Sequence, residues 1–156
     1  MHGSNVTGAV YPVEAVVQHL QQRGRGRTEP SPQPLLLIDA AQTAGQWPFS
    51  WRDCPADLIA MPGHKSLGGP LGTGLLFVGA RAASQIEPLL QGGTGSSSES
   101  LEMPPHLPER LEPGNQNVPA FSGLAAGLQF VLAEDLSRVA TENQQRVQAL
   151  AATLRT

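Results

Sequence analysis

Residues 57–78 read DLIAMPGHKSLGGPLGTGLLFV: two short apolar runs, Leu58 to Met61 and Gly74 to Val78, on either side of a glycine-rich loop. Apolar runs of this length, bounded by glycine and proline, read as strands. The link from Lys65 to Gly74 is too short for a crossover helix, which takes about a dozen residues, so the second run returns antiparallel to the first. Upstream, residues 35–42 read LLLIDAAQ, a third apolar run from Leu35 to Ile38 that ends on Asp39. Its unbroken apolar character predicts a strand covered on both faces. Leu35–Ile38 and Leu58–Ala60 are expected as parallel neighbours. The fold class is then α/β, a mostly parallel sheet flanked by helices.

The flanking sequence supplies those helices. Pro12 suits a first helical turn, and Val13, Val16, Val17 and Leu20 follow at helical spacing until Gly24 stops the helix. Residues 24–34, with Arg25, Arg27, Pro30, Pro32 and Pro34, read as a solvated linker. A short helix is expected from Ala82 to Leu89. Residues 91–117, rich in glycine, serine and proline, predict a long irregular segment of the functional or mobile kind. A further helix is expected from Pro119 through Leu124, Leu128 and Val131. A last one carries Leu136, Val139, Val147, Leu150 and Leu154 on one face.

Length and charge narrow the function. A chain of 156 residues buries one core, so one domain is expected. A formal charge of −3 argues against a general nucleic-acid binder, whose affinity comes from lysines and arginines meeting phosphates. No run of apolar residues is long enough for a spanning helix, and no signal segment precedes the fold, so no membrane partner and a cytoplasmic location are expected. Cys54 stands alone, which excludes an internal disulfide or a cysteine zinc site.

Asp39 and Lys65 each close an apolar run, at the strand ends where open α/β sheets bind ligands. An acid and an amine delivered together suit a cofactor that needs a protonated ring nitrogen at one end and a Schiff base at the other. Pyridoxal phosphate (PLP) is that cofactor. Lys65 is the chain's single lysine, which is hard to explain as a solvating surface charge. To attack an aldehyde its amine must lose a proton, and a partly desolvated, electropositive pocket favours that loss. The plain alternatives are a turn-capping Asp39, an ordinary loop amide at Gln42, a packed or turn histidine at His64, and turn formers at Asn5 and His2. A nucleotide phosphate loop fails on spacing, because His64 separates Gly63 from Lys65.

Five segments occur in order: HGSNVTG (2–8), DAAQTAG (39–45), ADLIAMPGHKSLGGPLGTGLLFV (56–78), LLQGGTGSSSES (89–100) and RLEPGNQNVPAFSGLAAGLQFV (110–131). Together they resemble the class V aminotransferase group of fold-type I PLP enzymes, most closely its cysteine desulfurase-like branch. The resemblance implies that residues 1–133 are the C-terminal portion of a PLP-binding large domain and that residues 134–156 lead toward a small domain. It also implies a longer parent enzyme, so that this chain alone is incomplete and inactive. In that frame Lys65 is the catalytic lysine that holds PLP as an aldimine and then acts as acid and base. Asp39 keeps the pyridine nitrogen protonated, Gln42 bonds the phenolic oxygen, and His64 reaches the phosphate. Asn5 lies near the substrate carboxylate and the ring, with His2 in a matching place. Thr94, with Ser96, reaches across a homodimer to the partner's phosphate.

The implied substrate is an amino acid, cysteine foremost, with sulfur passed to a thiol outside this chain and alanine left behind. Aminotransferases and selenocysteine lyases share the constellation. Cys54 is expected as a loop thiol, since the reactive cysteine of desulfurases lies nearer the C-terminus than this chain extends. Two positions depart from the pattern: Pro62 replaces a phosphate-holding serine, and Asn115 replaces the threonine of EAGT, which clouds the start of the following helix. The alternative from another class is a non-catalytic fragment or remnant of such an enzyme.

Overall fold

The computed structural model describes residues 1–24, 34–96 and 99–154. The linker expected at 24–34 therefore lies almost wholly outside the described residues. Strands β1 (Leu37–Asp39) and β2 (Leu58–Pro62) run parallel, with Leu37 opposite Leu58 and Asp39 opposite Ala60. Strand β3 (Gly74–Val78) returns antiparallel beside β2, so that the sheet order is β1-β2-β3. This is the order that the connection lengths require. Helices α1 (Val13–Gly24), α2 (Ala80–Ala83), α3 (Val118–Ala133) and α4 (Leu136–Leu154) surround it, with a 3-10 turn at Glu109–Leu111. Among the described residues no helix is long and apolar enough to cross a membrane.

The strand ends differ from the apolar runs for local reasons. Leu36 carbonyl accepts the amides of Asp57 and Leu58 at 3.0 and 3.1 Å, and its own amide donates to the Asp57 carboxylate at 2.7 Å. A side chain thus replaces a ladder partner, and β1 begins at Leu37 rather than Leu35. Pro62 closes β2 beyond the last residue paired with β1, where its missing N–H costs no ladder bond. The helix expected at 82–89 is shorter and earlier. Gln85 and Ile86 amides both turn back to the Ala82 carbonyl, and Pro88 disfavours a helical Glu87.

Coverage of the sheet also departs from expectation. Ile38 and Ile59, with Phe77 opposite, form the face that packs on Val13, Val17, Ala40, Cys54 and Ala56. On the other face Leu37 and Leu76 remain 52% and 50% exposed. An unbroken apolar run records hydrophobicity at each position, but not which element arrives to cover it.

Asp57 and Arg81 tie α2 to the start of the sheet. Arg81 Nε donates to Asp57 Oδ1 at 2.7 Å, a second guanidinium nitrogen meets Oδ2, and that nitrogen also donates to the Pro34 carbonyl at 2.9 Å. Burial alone would raise the Asp57 pKa, but the Arg81 and Leu36 hydrogen bonds and the Arg81 charge outweigh it and hold it below the ordinary value. A carboxyl whose folded pKa is depressed stabilises the fold above its unfolded pKa and loses that contribution as pH falls through the folded value. Asp57→Ala also strands the Leu36 amide, so a loss of about 1–3 kcal/mol is expected. Urea unfolding should show that loss at pH 7 and a smaller one at pH 3.

Helix α3 begins at Val118, and Asn117 caps it, its side-chain oxygen accepting the Ala120 amide at 3.2 Å. The departure at Asn115 therefore leaves the helix start intact. Asn117→Ala should cost about 1 kcal/mol in the same measurement.

Candidate active site

β1 and β2 end side by side, and each hands a polar residue to the loop that follows. After Asp39 the Ala40 amide makes one more bond to Ala60, at 3.0 Å, and the chain then turns. Asp39 Oδ1 accepts the Ala41 amide at 2.9 Å, while Thr43 and Ala44 amides bond the Ala40 carbonyl at 3.1 and 2.9 Å. The turn-capping reading of Asp39 is thus met, yet the residue stays exposed and fronts a cavity.

The lysine loop is a compact fold in its own right. Gly63 amide bonds the Thr73 carbonyl at 2.8 Å, Gly69 amide the Gly63 carbonyl at 2.7 Å, and Gly68 amide the Lys65 carbonyl at 3.0 Å. Thr73 is buried and its hydroxyl donates to the Pro70 carbonyl at 2.6 Å. A Cβ on Gly63 would lie 2.1 Å from that hydroxyl, so only glycine fits. Helix α3 backs the loop closely: a Cβ on Gly127 would lie 2.4 Å from the Leu67 carbonyl oxygen. With its backbone held this way, the loop presents His64 and Lys65 to solvent.

Asp39 and Lys65 open onto one cavity of about 990 Å³. Asp39 and Ala41 line it from the turn, Ala60 to Pro62 from β2, and His64 with Lys65 from the loop. Leu75, Leu76 and Val78 of β3 add an apolar floor, and Leu107, Pro108, Leu111 and Glu112 close one side. That last wall was missed in the sequence, where residues 91–117 read as irregular. The apolar pair Leu107 and Leu111, at i, i+4 beside Glu112, was the available signal.

The other candidates stand elsewhere. Gln42 is half-buried near Gly3 and is not among the cavity-lining residues. Asn5 is exposed in a surface turn whose Val6 and Thr7 amides donate to Ser4 Oγ at 3.3 and 3.2 Å. Thr94 bonds Ser96 through their hydroxyls at 3.1 Å and lines a separate cavity of about 490 Å³ with Gly93, Gly95, Gly114, Asn115 and Gln116. His2 is a core residue: its amide bonds the Asp39 carbonyl at 2.7 Å and its Nδ1 pairs with the Thr43 hydroxyl at 2.8 Å. Burial holds its pKa below the ordinary histidine value, against the opposing pull of Glu14. His2 thus braces Asp39 from behind. Cys54 is buried in the core, where burial first and Glu14 second push its thiol up, the opposite of what a nucleophile needs.

Comparison with known proteins adds three kinds of likeness. A family model described as aminotransferase class V matches residues 1–156. A probable cysteine desulfurase of Methanothermobacter thermautotrophicus is 31% identical over 155 residues, 98% of this chain and 36% of the relative. The apo structure of a cysteine desulfurase from Thermococcus onnurineus NA1 superposes with a TM-score of 0.81 at 29% identity, covering 99% of this chain and 37% of that one. Pyridoxamine-pyruvate aminotransferase from Mesorhizobium loti, at 22% identity and a TM-score of 0.63, covers 90% of this chain and 34% of its own, and shares the fold. The chain spans about a third of the length of these relatives.

Proposed function

The chain belongs to the class V aminotransferase family, and on that premise we propose that Asp39 and Lys65 form the two poles of a PLP site serving a cysteine desulfurase-like reaction. The observation that carries the reading is their shared cavity at the ends of neighbouring parallel strands. The residues fit the group. Asp39 is an acid with an exposed side chain, Lys65 is an exposed amine, and both open on a cavity of about 990 Å³.

When bound, PLP supplies a ring that accepts the electron pair left at the substrate's Cα. Asp39 would accept a hydrogen bond from the ring nitrogen and so keep the proton there. Lys65 Nζ would be the amine that holds the cofactor and, when free, the base and acid that moves the proton at the substrate's Cα. His64, on the same wall, would donate to the phosphate. Gln42 would hydrogen-bond the phenolic oxygen. Asn5 would meet the substrate carboxylate, and Thr94 the phosphate of a second copy in a homodimer. The cytoplasm is the matching location, and sulfur leaves cysteine for an external thiol as alanine forms.

A second reading is a binding-competent but non-catalytic portion of such an enzyme. It is favoured because no arginine among the described residues lines the cavity to fix a substrate carboxylate. Adding PLP and following visible absorbance tests the site common to both readings, and adding cysteine with an excess thiol reductant and following sulfide tests for turnover by this chain. We expect a weak, saturable absorbance change that Asp39→Ala weakens by about tenfold or more, since charge-assisted hydrogen bonds are the strong ones. Sulfide release should be absent from this chain alone, because no arginine among the described residues lines the cavity to fix the carboxylate. Sulfide at enzymatic rates would exclude the non-catalytic reading, and no absorbance change at millimolar PLP would exclude both.

A further inference from the structure

The Asp39 turn and the lysine loop meet at a second place, behind the cavity. Gln46 Nε2 donates to Ser66 Oγ. Beside it Gly45 takes a φ of +79°, and a Cβ there would lie 2.6 Å from the Ser66 carbonyl oxygen. Only glycine permits this backbone angle at such close range. The turn that carries Gln46 is itself fixed: Gln46 and Trp47 amides bond the Thr43 carbonyl at 3.1 and 2.9 Å, and the buried Thr43 hydroxyl pairs with His2. His2 in turn holds the Asp39 carbonyl at 2.7 Å. A continuous set of contacts therefore runs from the Asp39 backbone to the residue next to Lys65.

We propose that Gln46 and Ser66 are positioning residues that set the spacing between the Asp39 carboxylate and the Lys65 amine. Neither lines the cavity, so they act through the two loops and not on the cofactor. The consequence for PLP rests on the function proposed above, whereas the tether itself is a property of the chain alone.

The test uses Gln46→Ala, Ser66→Ala, the double variant and Ser66→Thr, which keeps the hydroxyl. Without cofactor, hydrogen exchange of the amides in residues 63–69 should quicken about two- to tenfold in either alanine variant, the range that one lost hydrogen bond allows. The double variant should exchange no faster than the singles, and Ser66→Thr should restore protection. Titrated with PLP, the alanine variants should bind about two- to tenfold more weakly, with Ser66→Thr close to the parent. Exchange rates that are unchanged, or that multiply in the double variant, would overturn the tether. Quickened exchange with undiminished PLP affinity would overturn its positioning role. If the parent chain binds no PLP at all while exchange responds as described, the cofactor reading fails and the tether stands. Unchanged far-UV circular dichroism in Ser66→Ala guards against global unfolding as the cause.

Discussion

Lys65→Arg should leave no side chain in the protein that borohydride can fix to PLP, because Lys65 is its single lysine. Arginine keeps the positive charge but stays protonated at any working pH, so it cannot attack the cofactor aldehyde. Label should vanish from the loop peptide and remain only at the terminal amine of Met1. Stability should change by no more than about 0.5 kcal/mol, since Lys65 is exposed and its loop is held by backbone bonds and by α3. The two readouts isolate chemistry from folding. Undiminished labelling in the variant would place the reactive amine elsewhere and remove Lys65 from the account.

The second large effect concerns Gly127. Alanine in place of glycine within a helix ordinarily stabilises by about 1 kcal/mol. Here the added Cβ would lie 2.4 Å from the Leu67 carbonyl oxygen and 2.7 Å from the Gly68 carbonyl carbon, both backbone atoms. Overpacking of this kind costs about 1–3 kcal/mol, so the clash should outweigh the propensity gain and Gly127→Ala should destabilise. Because the atoms it meets belong to the lysine loop, PLP affinity should fall as well. Ala126→Gly, one residue earlier at an exposed position, provides the contrast: a loss of about 1 kcal/mol from propensity with cofactor affinity unchanged. Urea unfolding and PLP titration of both variants check the pair.

Sheet order is legible in the sequence, because connection length alone forbids a crossover between Lys65 and Gly74 and leaves room for one between Asp39 and Leu58. The placement of an acid and an amine at neighbouring strand ends followed from the same reading. Contacts distant in sequence were not legible. The wall formed by Leu107, Pro108, Leu111 and Glu112 comes from a segment whose glycines and prolines hide its apolar pair. His2 looked like a site residue from its neighbours in HGSNVTG, yet its backbone is paired to Asp39 and its ring is drawn into the core against Phe49, 5.3 Å between centroids. Gln42 matches a cofactor ligand by its distance from Asp39 in sequence, whereas its place beside Gly3 and outside the cavity-lining residues comes from the folded turn. Gln46 and Ser66 carry no pattern at all; only the folded turn brings them together.

The central claim is that Asp39 and Lys65 address opposite ends of one PLP ring. A crystal structure of the chain after borohydride reduction with PLP tests it most directly. The account predicts density continuous from Lys65 Nζ into the cofactor, with the pyridine nitrogen about 2.7–3.0 Å from the Asp39 carboxylate. A cofactor attached to Lys65 but with its ring turned away from Asp39, or one bound outside this cavity, would contradict it.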